Sequence, residues 1–485
     1  MTDTDAPGRT APSDSSPLPP PNRATVHEEI HDRADTVWTR GVGQAPNIAK
    51  VVSQSVRGVG GRVAIVDGCR TPFSKSGTDL QDMDVVDLAG VAAAELVART
   101  AIDPDEIDLS IFGVVVQALH APNLGREVVF RVSLPKTIPG TTVNLACASS
   151  NRAITSGAEA ILSGECDVVL AGGAESLSNV PIQYSKAAAR LLMEFSKARS
   201  MGQKLSILAK LRPRDLVPVP PAIAEYSTGM TMGLACEKMA KENQISRRSQ
   251  DEIALLSHQR AAAAAAAGRF ADQIVTTFPT PGYDVAVADD NGVRSDTSME
   301  ALAKLRPVFD RKYGTLTAGN SSPLTDGASA VLLMSEDKAK ALGYEPLGFI
   351  RSFAYAALDP GSQLLQGPAY AAPLALDQAG LELSDVDLVE MHEAFAAQIV
   401  SNMKAFASRK FAVEELGRSQ PLGEVDLERF NVNGGSIAIG HPFGATGGRV
   451  TIQLLRELER RSLNLGLITV CAAGGVGFAM VVERS

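Results

Sequence analysis

Short apolar runs alternate with longer helical segments along most of this chain, and that alternation constrains the fold most. Residues 63–66, 111–116 and 167–171 are apolar runs of strand length, and residues 85–97 have the spacing of an amphipathic helix. Strands that alternate with helices are typical of parallel βαβ units. The sequence therefore predicts an α/β protein whose body begins near residue 61.

The same local pattern occurs twice. Residues 102–109 and 381–388 are both acidic loops that follow a helix and precede a strand. Further on, a turn and helix at Cys147 has a counterpart at His441. Chance would explain one such match, since acidic helix–strand loops are common, but order and context repeat together. The repeat predicts a duplicated fold of two βαβ-type halves.

Composition between the repeats indicates further boundaries. A stretch with a proline cluster and one long helix, over residues 247–268, separates the halves and is interpreted as an inserted loop domain. The first 23 residues are rich in Pro, Ser, Thr and Asp, which predicts a disordered tail. The predicted organisation is a tail and N-terminal extension over 1–60, a first half over 61–176 completed by 324–345, the inserted loop domain over 177–323, and a second half over 346–485.

Charge and cysteine content exclude several classes of protein. The net charge of −9 argues against a nucleic-acid partner. The five cysteines are odd in number and have no CxxC spacing, which indicates free thiols in a reducing compartment rather than a disulfide framework or a zinc site. No apolar run reaches membrane-spanning length, and the acidic N-terminus lacks a signal sequence pattern. We expect a cytoplasmic protein, with peripheral membrane contact as an option.

Two cysteines lie in turns made of small residues. Cys147 closes a strand and opens a helix, where free backbone N–H groups favour a thiolate. The competing interpretation is a buried, inert cysteine. Cys471 ends an apolar strand and precedes Gly474, Gly475 and Gly477, a turn whose N–H groups could bind an oxyanion. This glycine run precedes a strand rather than a helix, so it is not a dinucleotide-binding fingerprint.

Two histidines lie at comparable positions. His441 lies in a Gly-His-Pro turn before a helix, where it could act as a base for Cys147, donate to a carbonyl oxygen, or simply cap the helix. His392 and Glu393 follow the strand 388–391, at the sheet edge where α/β proteins build sites. A HExxH zinc motif would need a second histidine at Ala396, so we predict no metal site.

Together these motifs resemble the thiolase family. The resemblance covers residues 61–485 and rests on blocks in family order: 70–73, the Cys147 block, 171–176, 319–322 with 326–328, 392–395, the His441 block and the Cys471 block. Where many thiolases carry Asn-Glu-Ala-Phe and Cys-Ile-Gly-Gly-Gly, this chain has His392 and Ala472-Ala473. These departures are similar to the trifunctional-enzyme β-subunit type of 3-ketoacyl-CoA thiolase. The resemblance implies a layered αβαβα thiolase fold.

The resemblance also implies residue roles. Cys147 would be the acyl-accepting nucleophile, His441 its activator and Cys471 the proton carrier at the acetyl-CoA α-carbon. His392 would help form one oxyanion site, directly or through a water, and the backbone N–H groups of Cys147 and Ala473 a second. Ser322 would contact the pantetheine arm of CoA.

The implied function is CoA-dependent cleavage of a 3-oxoacyl-CoA in fatty-acid β-oxidation, by a ping-pong mechanism through an acyl-cysteine. No cofactor is implied, since CoA is a substrate. The alternatives are an acetoacetyl-CoA-forming biosynthetic thiolase, a decarboxylating ketoacyl synthase, and a non-catalytic lipid-carrier or scaffold subunit. A synthase would lack Cys471, and a dead subunit would lack Cys147 or His441, all of which are present.

Residues 185–215 form a basic, apolar-faced segment in an acidic protein. They hold eight basic side chains against two acidic ones, with apolar residues between them. The plain interpretation is a solvated face. The sharper one is a surface for an anionic partner: a membrane, the nucleotide of CoA, or an α subunit with hydratase and dehydrogenase activities. The thiolase resemblance implies acyl-CoA and CoA as partners, and a homodimer is also expected. This segment adds the candidate α subunit or membrane.

Overall fold

The computed structural model describes residues 24–31, 52–55, 61–219 and 224–484. The predicted tail, residues 1–23, lies outside them. The strands are β1 Val52–Ser55, β2 Val63–Arg70, β3 Ser74–Lys75, β4 Leu109–Gly113, β5 Gly140–Val143, β6 Val168–Glu175, β7 Thr325–Ser335, β8 Gly348–Ala357, β9 Leu388–Met391, β10 Leu465–Ala472 and β11 Val476–Glu483.

The helices begin before the first strand and continue through both halves. They are α1 Ala24–His31, α2 Val85–Thr100, α3 Leu124–Arg131, α4 Ser149–Leu162, α5 Lys186–Lys197, α6 Met201–Leu208, α7 Met232–Glu242, α8 Arg247–Ala266, α9 Met299–Ala303, α10 Glu336–Ala341, α11 Gly367–Ala379, α12 Ala396–Ala407, α13 Arg409–Glu414, α14 Ser436–Ile439 and α15 Thr446–Arg461. Among the described residues, no helix is both long and apolar enough to cross a membrane.

The strands form one continuous path in the order β5-β4-β6-β7-β2-β8-β11-β10-β9, with β1 on β8 and β3 on β7. Parallel pairing is found between β4 and its neighbours β5 and β6, and between β9 and β10. The other strand pairs are antiparallel. The predicted βαβ units are therefore confirmed at the two outer ends of the sheet, but the alternation did not predict the antiparallel strands that join the halves.

The layers follow from where the apolar side chains are buried. Helices α4 and α15 share one hydrophobic cluster with strands of both halves, so they form the central layer. Helices α2 and α3 cover the outer face of the first half, and α7, α8, α11 and α12 cover that of the second. The predicted αβαβα arrangement is confirmed.

The two acidic loops of the repeat make the same hydrogen bonds. The carboxylate of Asp108 accepts from the backbone N–H groups of Asp167 and Val168, each at 2.9 Å. The carboxylate of Asp387 accepts from Asn464 and Leu465 at 2.9 and 2.8 Å. Each aspartate thereby links the starts of two neighbouring parallel strands. The same hydrogen bonds recur in both halves, which supports the duplication.

Small residues bring the two central helices into backbone contact. A Cβ on Gly447 would lie 2.1 Å from the side-chain oxygen of Asn151, so a larger residue does not fit. The next N–H, of Gly448, donates to Ser150 Oγ at 2.8 Å. The first turns of α4 and α15 therefore lie against each other, and so do the turns that carry Cys147 and His441.

Part of the predicted inserted loop domain, residues 177–323, packs against the second half. Residues of α7 and α8 belong to the same hydrophobic cluster as α11 and α12. The short helix α1 packs on α8, where Glu29 accepts from Ser249 Oγ at 2.7 Å. The boundaries of the inserted loop domain and of the N-terminal extension remain predictions.

Candidate active site

Cys147 lies in a tight turn between β5 and α4. Ala146 adopts a φ of 46°, a left-handed conformation that few non-glycine residues take. Ser149 Oγ stabilises the turn, since it accepts from Leu145 N at 2.9 Å and donates to the Ala146 carbonyl at 2.7 Å. The helix begins two residues after the cysteine. The turn presents the thiol at the edge of the sheet, only partly covered.

The expected thiolate at Cys147 is wrong for the resting protein. Burial raises the pKa of the Cys147 thiol to about 12, although the backbone N–H groups of Ala473 and of Cys147 itself act in the opposite direction. Removal of the sulfur from water destabilises the thiolate more than these backbone N–H groups stabilise it. The thiol is therefore neutral at pH 7 and needs a base at the moment of reaction.

His441 supplies a nitrogen at hydrogen-bonding distance from this thiol. Its Nε2 lies 3.1 Å from Cys147 Sγ, and its Nδ1 lies 2.7 Å from Thr446 Oγ1. Its backbone N–H donates to the Pro323 carbonyl at 3.1 Å. Gly440 permits this turn with a φ of 114°. Burial, with the charge of Arg449, lowers the pKa of His441 to about 3, so the imidazole is neutral and able to accept a proton.

His392 lies directly behind His441. It follows β9, and its ring centroid is 4.1 Å from that of His441. Its Nδ1 is 3.0 Å from Ser436 Oγ, and its Nε2 is buried without a hydrogen-bond partner in the described part of the chain. Burial, and then the charges of His441 and Arg449, hold the pKa of His392 well below its usual range. Two neutral imidazoles, tilted by 47° to each other, thus lie beside one thiol.

Cys471 lies near the end of β10 and is fully buried. Burial, and then the nearby charge of Cys147, hold the pKa of its thiol well above the usual range. The structure therefore brings Cys147, His392, His441 and Cys471 into one site, although the first comes from one half and the other three from the second.

The two remaining predicted positions border the same site. Ala473 directs its backbone N–H towards the Cys147 sulfur. Ser322 is partly exposed, and both its N–H and its Oγ donate to the Ala394 carbonyl, at 3.0 and 3.1 Å. Ser322 is therefore fixed beside the loop that carries His392.

Comparisons with known proteins agree with this geometry. The family described as thiolase, N-terminal domain, matches residues 63–337, and thiolase, C-terminal domain, matches residues 344–484.

The chain belongs to the thiolase family.

Its relatives include the 3-ketoacyl-CoA thiolases of Yersinia enterocolitica and Serratia proteamaculans, which are 53% and 52% identical over 424 residues, or 87% of this chain and 97% of each relative. Human mitochondrial 3-ketoacyl-CoA thiolase, solved in complex with CoA, has a TM-score of 0.74 and 32% identity over 90% of this chain and 99% of its own. Bacillus anthracis acetyl-CoA acetyltransferase has a TM-score of 0.75 and 33% identity over 87% and 98%. This thiolase is accordingly an acyltransferase.

Sequence reasoning missed three buried polar residues of this thiolase. Arg449 lies on α15 and is 1% exposed, and Ser436 is the first residue of α14. Glu175 accepts from the N–H groups of Val115, Val116 and Gly444, which ties the turn after His441 to the first half. Burial raises the pKa of Glu175 to about 7. An arginine among the apolar positions of a helix was the one available signal.

The thiolase site also has the composition of a metal site. One atom each from Cys147, His392 and His441 lie within 4.8 Å of one another. A tetrahedral zinc ion would hold a sulfur and a nitrogen about 3.5 Å apart, from Zn–S near 2.3 Å and Zn–N near 2.0 Å. The observed 3.1 Å between Cys147 Sγ and His441 Nε2 is a hydrogen-bond distance instead. The geometry favours proton transfer at this pair.

Proposed function

We propose that this thiolase is a 3-ketoacyl-CoA thiolase, which cleaves a 3-oxoacyl-CoA with free CoA to give acetyl-CoA and an acyl-CoA shorter by two carbons. The 3.1 Å contact between Cys147 Sγ and His441 Nε2 is the observation that carries the proposal, because it pairs a nucleophile with its base. The names of relatives at 53% identity support the substrate class.

In the first half-reaction, His441 Nε2 takes the Cys147 proton as the sulfur attacks the C3 carbonyl of the substrate. The C2–C3 bond then breaks, which leaves an acyl-Cys147 thioester and the carbanion of acetyl-CoA. Cys471 gives its proton to that carbon, and acetyl-CoA leaves. The neutral resting states of the thiol and the imidazole suit this sequence, since no charge is buried until substrate is bound.

In the second half-reaction, the thiol of free CoA attacks the acyl-Cys147 carbonyl. Its proton passes to the Cys471 sulfur, the bond from the acyl carbon to Cys147 Sγ breaks to release the shortened acyl-CoA, and the Cys147 thiolate takes back the proton held on His441 Nε2. The backbone N–H groups of Cys147 and Ala473 stabilise one oxyanion, and His392 with His441 stabilises the other. CoA acts as a substrate and no cofactor is required. Ser322, partly exposed beside the His392 loop, is proposed to contact the pantetheine arm of CoA.

An acetoacetyl-CoA-forming thiolase is the second candidate, supported by the similarity to the acetyl-CoA acetyltransferase of Bacillus anthracis. The two candidates differ in chain length and direction. Purified protein should be assayed for CoA-dependent cleavage of 3-oxoacyl-CoAs from four to sixteen carbons, and for condensation of two acetyl-CoA molecules. Cleavage of the longer substrates at rates above that of acetoacetyl-CoA supports the first candidate. Activity confined to four carbons in either direction favours the second.

We further propose that the segment of residues 185–215 contacts an anionic membrane surface. Its two helices, α5 and α6, leave large apolar side chains exposed, among them Met193 at 60%, Met201 at 70% and Leu205 at 60%. Basic side chains surround these, which is the pattern of a helix that lies in a membrane interface. The competing occupant is an α subunit with hydratase and dehydrogenase activities, as the trifunctional-enzyme resemblance implies.

Sedimentation with vesicles distinguishes the membrane from the other outcomes. Lys186, Arg190 and Lys197 changed together to Glu should abolish binding to phosphatidylserine-containing vesicles at low salt, with thiolysis retained. Vesicle binding that is absent in the wild type, or that survives the change, contradicts the membrane proposal. A homodimer is also proposed, and its test is the mass in solution.

A further inference from the structure

The two neighbouring histidines have different hydroxyl partners. His392 Nδ1 contacts Ser436 Oγ at 3.0 Å, and His441 Nδ1 contacts Thr446 Oγ1 at 2.7 Å. All four side chains are buried. A neutral imidazole carries one N–H, so the direction of each of these hydrogen bonds decides which nitrogen faces the reaction centre as a donor.

The Ser436 hydroxyl is already an acceptor. Arg449 Nη2 lies 2.7 Å from Ser436 Oγ, and a guanidinium can only donate. Within the described part of the chain, the other contact of this oxygen is His392 Nδ1. A buried hydroxyl proton needs an acceptor, so Ser436 donates to Nδ1. The His392 proton is then on Nε2, the atom that has no partner in the described structure.

The Thr446 hydroxyl, unlike that of Ser436, can accept a hydrogen bond from its histidine. It lies 3.1 Å from the Pro442 carbonyl, which can accept its proton. Thr446 Oγ1 can therefore accept from His441 Nδ1. That leaves a lone pair on His441 Nε2, which faces Cys147 Sγ at 3.1 Å. The same pair of residue types, a histidine and a hydroxyl, thus gives a base at one position and a donor at the other.

We propose that Ser436 and Arg449 are positioning residues that hold His392 in the Nε2–H form, so that it is a fixed hydrogen-bond donor to the oxyanion or to a water beside it. The inference rests on the proposed function for the identity of the oxyanion. It explains how a histidine can replace an asparagine amide as a fixed donor, because Ser436 and Arg449 hold His392 in one tautomer. Arg449 also opposes protonation of the ring through its charge.

The first test needs no mutation. In the wild-type protein labelled with ¹⁵N-histidine, NMR at pH 7 should show His392 with a protonated Nε2 and an unprotonated Nδ1, and His441 with the reverse. Assignment uses loss of signals in His392→Asn and His441→Ala. A protonated Nδ1 on His392 overturns the proposal. This readout is made without substrate, so it stands whether or not the proposed function holds.

The second test is a double-mutant cycle on acetoacetyl-CoA thiolysis. Ser436→Ala should lower kcat tenfold or more with little change in KM, because His392 then loses its fixed tautomer. In a His392→Asn background the same change should lower kcat less than twofold, because an amide has no tautomer to fix. Ser436→Thr, which keeps the hydroxyl, should recover most of the activity.

Ser352→Ala is the matched control, because it also removes a buried serine hydroxyl: Ser352 Oγ, in β8, donates to the carbonyl of Ala375 in α11. It should leave kcat unchanged. Equal losses from Ser436→Ala in both backgrounds would mean a structural role for Ser436 and overturn the proposal. If thiolysis is absent in the wild type, the proposed function fails, and the NMR result alone decides the tautomer.

Discussion

The two halves of this thiolase share a framework but not a chemistry. In each half one aspartate, Asp108 or Asp387, hydrogen-bonds across the starts of two neighbouring parallel strands. Yet the first half contributes a single candidate catalytic side chain, Cys147, whereas the second contributes His392, His441 and Cys471. The comparison teaches that duplication kept the bonds that set strand register and left the loops at the strand ends free to diverge.

Loss of Cys147 should have the largest effect, because it removes all that the first half contributes to the chemistry. Cys147→Ala should abolish thiolysis and leave the fold intact, since alanine suits a turn of small residues. Mass spectrometry of the intact protein with an acyl-CoA should show an adduct on the wild type and none on the variant. Cys166→Ala, another partly buried thiol, is the control and should keep both adduct and activity. An adduct that persists in Cys147→Ala would move the nucleophile elsewhere.

His441→Ala should come next, because it removes the base that the second half offers to the first. We expect kcat for thiolysis to fall by about 10³-fold or more, beyond the loss of about 10²–10³ typical of one oxyanion donor. His392→Asn should retain more activity, because an amide can still donate. Steady-state kinetics on the two variants checks the ranking, and the reverse order would mean that the roles of the two histidines are exchanged.

Cys471→Ser should affect proton transfer at the acetyl-CoA α-carbon and acylation of Cys147 to different extents. The exchange of acetyl-CoA methyl protons with deuterium should fall more than the rate at which Cys147 is acylated, because the proton at the α-carbon needs the second thiol. Deuterium incorporation and the acylation burst measure the two. Equal losses would argue against this separation.

The protonation states of Cys147 and His441 before substrate binds can be tested by varying the pH. With pKa values of about 12 for Cys147 and about 3 for His441, both groups are neutral between pH 5 and 9. The thiolate fraction then grows about tenfold per pH unit, so iodoacetamide alkylation of Cys147 should keep rising up to pH 9. A plateau below pH 8 would instead indicate a preformed thiolate–imidazolium pair.

The smallest effect is expected from the two aspartates that link the parallel strands, Asp108 and Asp387. Asp108→Ala and Asp387→Ala should each lower the free energy of unfolding by about 1 kcal/mol, because each removes a carboxylate bonded to two backbone N–H groups. Urea denaturation should give similar shifts for both, with thiolysis per folded molecule unchanged. Asp103→Ala, which removes a bond to Asp105 N within its own turn, is the control. A large loss in one half alone would show that the two loops are not equivalent.

Local patterns predicted much of this molecule and missed the parts set by distant contacts. The strand β9, the helix that became α4 and the four candidate side chains were accessible because periodicity and turn residues are local. The antiparallel junction between halves was not, since which strand edges meet depends on the whole fold. The pKa of Cys147 was predicted in the wrong direction because burial outweighs the helix N-terminus. Arg449 was missed because only tertiary packing decides that an arginine is buried.

The continuous sheet has a consequence for how substrate arrives. Strand β2 hydrogen-bonds to β8 across the junction, in the pairs Val63–Ile350 and Ala64–Phe349, and one hydrophobic cluster spans both halves. Separation of the halves would break that ladder and expose that cluster, so this enzyme cannot open and close like a hinged clamp. A substrate must therefore reach Cys147 and the histidines while the two halves stay joined, so access to the centre is set by the segments around it and not by the distance between the halves.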